Sequence, residues 1–131
     1  LELEIAVQRA CRRLVREGVA RSAHDVSEGG LAVTLAESCI VGNVGFSLTS
    51  EIPDRWDAAL FGERQSLITL SVAPENVGRV TEVAGDEGVP LLALGTVGGD
   101  ELSLGDFSKI PVTELATAWY GGIESKVATD R

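Results

Sequence analysis

The chain has a single histidine, only two cysteines and no methionine among its 131 residues. His24, Cys11 and Cys39 are widely separated and no C-x-x-C pair occurs, which argues against a structural zinc site. Cys11 and Cys39 fall at apolar helical positions, so buried free thiols are expected in place of a disulfide. Cations are scarce as well. Eleven Lys and Arg face twenty Asp and Glu, a formal net charge of -9. Such a surface disfavours nucleic acid and anionic membranes. It leaves a small phosphate ligand open, because backbone N–H groups at a helix start bind anions without help from Lys or Arg. No apolar run is long enough to cross a bilayer, and no charged-then-apolar leader opens the chain; a cytoplasmic location is expected. The absence of G-K-[ST] excludes a P-loop. The absence of G-x-S-x-G, with no second histidine to act as base, argues against a serine hydrolase. No repeat of about 20–50 residues is present.

What remains is an ordinary folded composition, 44% apolar and 24% charged, and a length that suits one domain over residues 1–131. Leu1 stands where a Met would open a gene product and already lies in a helical pattern, so the chain is expected to be a fragment of a longer one. Leu3, Val7, Ala10, Cys11, Leu14 and Val15 recur at helical spacing, and Gly18 stops that helix. Ala20 to Val26 reads as a short strand. A second helix is expected from about Gly29 to Ile40, with Gly42-Asn43 as its stop. Val44, Phe46 and Leu48 alternate as a strand, and Pro53 to Glu63 reads as a short helix or ordered loop. Leu67 to Val72 alternates as a second clear strand. Val77, Val80 and Ala84 mark a helix ending near Gly88. Leu91 to Val97 reads as an internal apolar strand, and Gly98-Gly99 as the turn of a hairpin whose return carries Leu102 and Leu104. Pro111 is expected to open a last helix with Trp119 in its core face. The order implies an α+β fold.

The chemistry concentrates between the first strand and the second helix, in His24, Asp25, Ser27, Glu28, Gly29 and Gly30. Asp25 or Ser27 suits the helix N-cap, its oxygen accepting a free N–H of the first turn. Glu28, three residues after Asp25, has the spacing of a capping-box relative. Gly29 and Gly30 lack Cβ atoms, so a ligand can approach the backbone closely there. His24 can donate to a phosphate or carbonyl oxygen. From the residues alone, plain capping is the leading reading of the same cluster. A second polar cluster, Phe61-Gly62-Glu63-Arg64-Gln65-Ser66, reads as a solvated turn or a face toward another domain.

These residues carry a family resemblance. The run Ser22-Ala23-His24-Asp25-Val26-Ser27-Glu28-Gly29-Gly30-Leu31-Ala32, followed by Leu35-Ala36-Glu37, resembles the signature of the last domain of the phosphoribosylformylglycinamidine synthases. The Leu60-to-Ser66 segment and the Pro74-Glu75-Asn76-Val77 helix entry resemble the same family, and the likeness spans essentially the whole chain. Aminoimidazole ribonucleotide synthase and other members of the superfamily share the glycine loop. The resemblance implies a three-layer α+β domain with a mixed sheet, partly ferredoxin-like, that packs on a separate nucleotide-binding domain.

It also implies an ATP- and Mg²⁺-dependent amidation in purine biosynthesis: a formyl amide oxygen is activated and displaced by ammonia from a glutaminase subunit or domain. In the family the catalytic histidine, the Mg²⁺ carboxylates and most ATP contacts lie in other domains. No catalytic or metal role therefore falls on this chain, and neither Cys11 nor Cys39 is the glutaminase nucleophile. His24, Asp25, Ser27, Gly29 and Gly30 are the expected substrate or phosphate contacts. If Arg131 lies near a natural end, the parent resembles the small form served by a separate glutaminase. A relative acting on another substrate and a non-catalytic docking module remain alternatives.

Overall fold

The computed structural model describes residues 2–26, 29–51, 67–105 and 108–129, with side chains through Gly121. The expected element over Pro53 to Glu63 and the cluster from Phe61 to Ser66 lie outside the described residues. The chain divides into two compact units, Leu1–Thr34 with Arg55–Ala93 and Leu35–Asp54 with Leu94–Arg131. The elements are α1 (Glu2–Arg16), β1 (Ala20–Asp25), α2 (Gly30–Gly42), β2 (Phe46–Leu48), β3 (Ile68–Val72), α3 (Val77–Glu87), β4 (Gly95–Val97), β5 (Glu101–Ser103), β6 (Lys109–Pro111) and α4 (Val112–Thr129). The class is α+β, as the element order implied. Helix α2 starts in the first unit and ends in the second.

Three helices stop by the same device. At α1 the Gly18 N–H donates to the Val15 carbonyl and the Val19 N–H to Leu14, with Gly18 at φ 72°. At α3, Gly88 (φ 68°) and Val89 donate to Gly85 and Ala84. At α2, Asn43 (φ 50°) and Val44 donate to Ile40 and Cys39. Each pair is a Schellman closure, which returns two N–H groups to orphaned helix carbonyls and needs a left-handed residue at its pivot. Glycine takes that conformation freely and asparagine tolerates it. The residue after each pivot is apolar, and Val19 joins the same core as Leu14.

That core belongs to the first unit. Ala10 and Leu14 of α1, Val19, and Val80 and Val83 of α3 are buried together, with Val83 fully enclosed. Ala20, Leu70, Val72 and Val89 close over them. Charge pairs rim the core. Arg79 of α3 donates to Glu17 at 2.6 Å and to Glu82 at 3.0 Å. Arg13 and Arg9 reach Glu87 at 3.1 and 3.4 Å. Glu2 and Glu4 begin α1, and Arg13 and Arg16 end it, matching the helix dipole at both ends.

β1 and β3 form an antiparallel two-stranded ribbon, with an irregularity between Ala20 and Ser22. In an antiparallel pair, directly opposed residues share a face. Ala20 opposes Val72, Ala23 opposes Leu70 and Asp25 opposes Ile68 on the side that meets the α1–α3 core. Ser22 opposes Ser71 and His24 opposes Thr69 on the other side. The second face is polar and half-buried, and its Ser22 and Ser71 hydroxyls bond to each other.

The second unit holds a four-stranded mixed sheet in the order β4-β2-β5-β6. β2 pairs antiparallel with β4 and parallel with β5, and β5 pairs antiparallel with β6. Leu35, Cys39, Phe46, Leu48, Leu102, Leu104 and Val112 are the unit's buried apolar residues.

Four expectations need correction here. Gly98-Gly99 is no hairpin turn, because β2 lies between β4 and β5. The pair instead carries the chain past the start of β2. There the Gly98 N–H donates to the Gly45 carbonyl, and the Gly45 N–H to Gly99, at 2.9 and 2.8 Å. Leu91 to Val97 is not an internal strand. Only Gly95–Val97 is strand, it sits at the sheet edge, and Leu91 and Leu92 are 51% and 70% exposed. Pro111 ends β6 instead of opening α4. Trp119 is 46% exposed, so it is not a core residue of this chain.

A loop between a strand end and a helix start

The first unit joins β1 to α2 through the segment that holds the expected site residues. Ser27 lies outside the described residues. His24 and Asp25 are neighbours in sequence, yet the alternation of β1 sends them to opposite faces. His24 is half-buried on the polar face beside Thr69, whose hydroxyl donates to the His24 carbonyl at 3.3 Å. Asp25 is exposed on the face that meets the helices, and its charge adds to burial in pushing the Cys11 thiol above its ordinary value. The two side chains therefore do not act as one His–Asp pair.

Gly29 and Gly30 both take left-handed conformations, at φ 83° and 75°. At Gly29 a second constraint is visible. A Cβ there would lie 2.5 Å from Cγ2 and 2.8 Å from Cβ of Val33, one turn into the helix. The chain's own packing thus requires glycine at this position, whether or not a ligand approaches it.

Thr34 is the residue that sequence reasoning missed. It is buried on the helix, and its hydroxyl faces both ends of the loop: the Gly30 carbonyl at 3.1 Å and the Asp25 carbonyl at 3.4 Å. It ties the first turn of α2 to the last residue of β1. The sequence does carry a signal for it: a hydroxyl among Leu31, Ala32 and Leu35, four residues after Gly30, is placed to bond back to the carbonyl of the preceding turn.

The first turn of α2 carries no acidic residue. Its partial positive end is therefore not offset from within that turn, unlike that of α1. Among the described residues, no three His, Cys, Asp or Glu side chains come together in a way that would hold a metal ion. Both thiols are free, and burial raises the Cys39 pKa as well as that of Cys11. No helix among the described residues is long and apolar enough to cross a membrane.

An α+β fold with a glycine loop opening a helix is what the resemblance to the AIR synthase-related proteins implied. The family model for the C-terminal domain of these proteins matches residues 1–106, and the chain belongs to that family. It is 44% identical over 99% of its length to the phosphoribosylformylglycinamidine synthase subunit PurL of Anaeromyxobacter dehalogenans, and 41% identical over 94% to that of Thermomicrobium roseum. It spans about a fifth of those relatives' length, 18% and 17% respectively. Thermotoga maritima PurL complexed with FGAR superposes with a TM-score of 0.72 at 22% identity, covering 86% of this chain and 21% of that one. The same enzyme complexed with ATP gives 0.70 at 21% identity, over 85% of this chain and 21% of that one.

Proposed function

We propose that the chain is the C-terminal domain of a phosphoribosylformylglycinamidine synthase, acting as one part of an ATP-dependent ligase that amidates a formylglycinamide ribonucleotide in purine biosynthesis. The observation that carries this reading is 44% identity to a PurL subunit across 99% of the chain. ATP supplies the phosphoryl group that turns an amide oxygen into a leaving group, and ammonia arrives from a glutaminase subunit or domain. Mg²⁺ and most ATP contacts belong to parts of the parent beyond this chain.

Within that reading, the loop of His24, Asp25, Ser27, Gly29 and Gly30 contributes substrate or phosphate contacts. The acid-free first turn of α2 supports an anion at its start. Thr34 holds that start against β1. The isolated chain has no turnover of its own. Deleting the parent gene tests the proposal: the account expects a strict purine requirement that the A. dehalogenans PurL gene relieves. Growth without purines would contradict it.

A further inference from the structure

The outer side of α1 carries a charge pattern that runs against the rest of the molecule. Residues 9–16 contain four arginines and no acid, in a chain of formal net charge -9. At about 100° per residue, Ile5, Arg9, Arg12 and Arg16 fall within a sector roughly 60° wide, and that sector lies opposite the buried Ala10 and Leu14. Together with Gln8 and Arg13 these side chains line a shallow groove of about 250 Å³.

Internal pairing accounts for only part of this charge. Arg9 and Arg13 are engaged by Glu87, and Arg13 also by Asp86. Arg12 and Arg16 are exposed and make no ion pair among the described residues. The helix dipole rationalises Arg16, in the last turn, but not Arg12.

Two features indicate what kind of partner fits. The groove runs along the side of α1 from Ile5 to Arg16, where the backbone N–H groups are spent within the helix; a free phosphate would find no N–H cradle there. The cations are all Arg, flanked by Ile5 and Val15 at 48% and 54% exposure. Arginine is enriched at protein interfaces, where its planar fork meets carboxylates through paired hydrogen bonds. We infer that the Arg12–Arg16 face of α1 docks an acidic polypeptide segment of a partner, with carboxylates spaced about one helical turn apart and an apolar residue between them to meet Ile5.

This surface stands apart from the proposed activity and is tested separately. A fluorescein-labelled Glu-Glu-Leu-Leu-Glu-Glu peptide is titrated with the purified protein at low and at 0.5 M salt (an assay choice set by screening, ~0.1 M giving a Debye length of about 10 Å), and inorganic pyrophosphate is run alongside. The expected result is saturable, salt-sensitive peptide binding. It should weaken at least tenfold in the R12E/R16E variant and by far less in R12K/R16K, which keeps the charge, with circular dichroism and thermal midpoint unchanged in both. Equal binding to wild type and R12E/R16E, no peptide binding, or pyrophosphate binding at least as tightly as the peptide would each overturn the inference.

Discussion

Replacing Gly29 by alanine separates what the fold needs from what a ligand needs. Two costs follow from the structure. At φ 83° any L-residue sits in the left-handed region, which costs about 1–2 kcal/mol. The new methyl would also meet Val33 Cγ2 at 2.5 Å and Val33 Cβ at 2.8 Å, and overpacking of that kind costs about 1–3 kcal/mol. Together they predict a loss of roughly 2–5 kcal/mol for Gly29→Ala. The assay is urea unfolding, read as a drop in midpoint with unchanged slope. The steric share is isolated by a double-mutant cycle with Val33→Ala, which removes the γ carbons and leaves Cβ in place. A favourable coupling of about 1 kcal/mol is expected between the two substitutions. Strictly additive effects in the cycle would refute the packing argument and leave the left-handed backbone as the reason for glycine; a neutral Gly29→Ala would refute both costs and leave close ligand approach.

Further outcomes follow from particular contacts. Thr34→Val removes a buried donor shared by the Asp25 and Gly30 carbonyls; a loss of about 1–2 kcal/mol is expected in urea unfolding, with Thr34→Ser close to wild type. Gly45→Ala would place a methyl against the Glu101 backbone nitrogen and the Gly98 carbonyl oxygen, both at 2.7 Å. Since backbone on both sides cannot yield, a loss of about 3 kcal/mol is expected, visible as a lowered thermal midpoint. Arg13→Ala leaves the mostly buried Glu87 carboxylate with Arg9 alone; about 1 kcal/mol is expected, shrinking at high salt. The Cys11 and Cys39 thiols are held above the ordinary value of 9.0, chiefly by burial. A native pKa raised above the unfolded one favours the neutral folded form, so this contribution is intact below pH 9 and fades as pH rises through the native values. Stability measured from pH 8 upward should fall, and less steeply in the C11S/C39S variant.

Helix ends were the most legible part of the fold, because their chemistry is local. Gly18, Gly42-Asn43 and Gly88 mark Schellman closures whose bonds all form within six residues. Strand pairing was not legible, because partners are set by distant segments. Gly98-Gly99 has the composition of a hairpin, yet Phe46–Leu48 enters between the flanking strands from about fifty residues upstream. Leu91 and Leu92 look like core by composition but lie exposed outside any strand. Trp119 likewise sits at helical spacing, yet it is 46% exposed. The candidate site divides in the same way. The helix start at Gly30 was readable from its glycines, whereas the separation of His24 from Asp25 depends on strand alternation. Register assigns their faces: Asp25 opposes Ile68, and His24 opposes Thr69. Thr34 stayed hidden because one polar residue within an apolar helical stretch has no motif of its own.

The most direct test is a product assay on the full-length parent protein. It is supplied with ATP, Mg²⁺ and an ammonium salt, together with either formylglycinamide ribonucleotide or the corresponding amidine. The account predicts amidine formation with ADP and phosphate from the first substrate, and no cyclised imidazole product from the second. Turnover of the amidine alone would assign the chain to a relative with a different reaction, and turnover of neither would leave it a docking module.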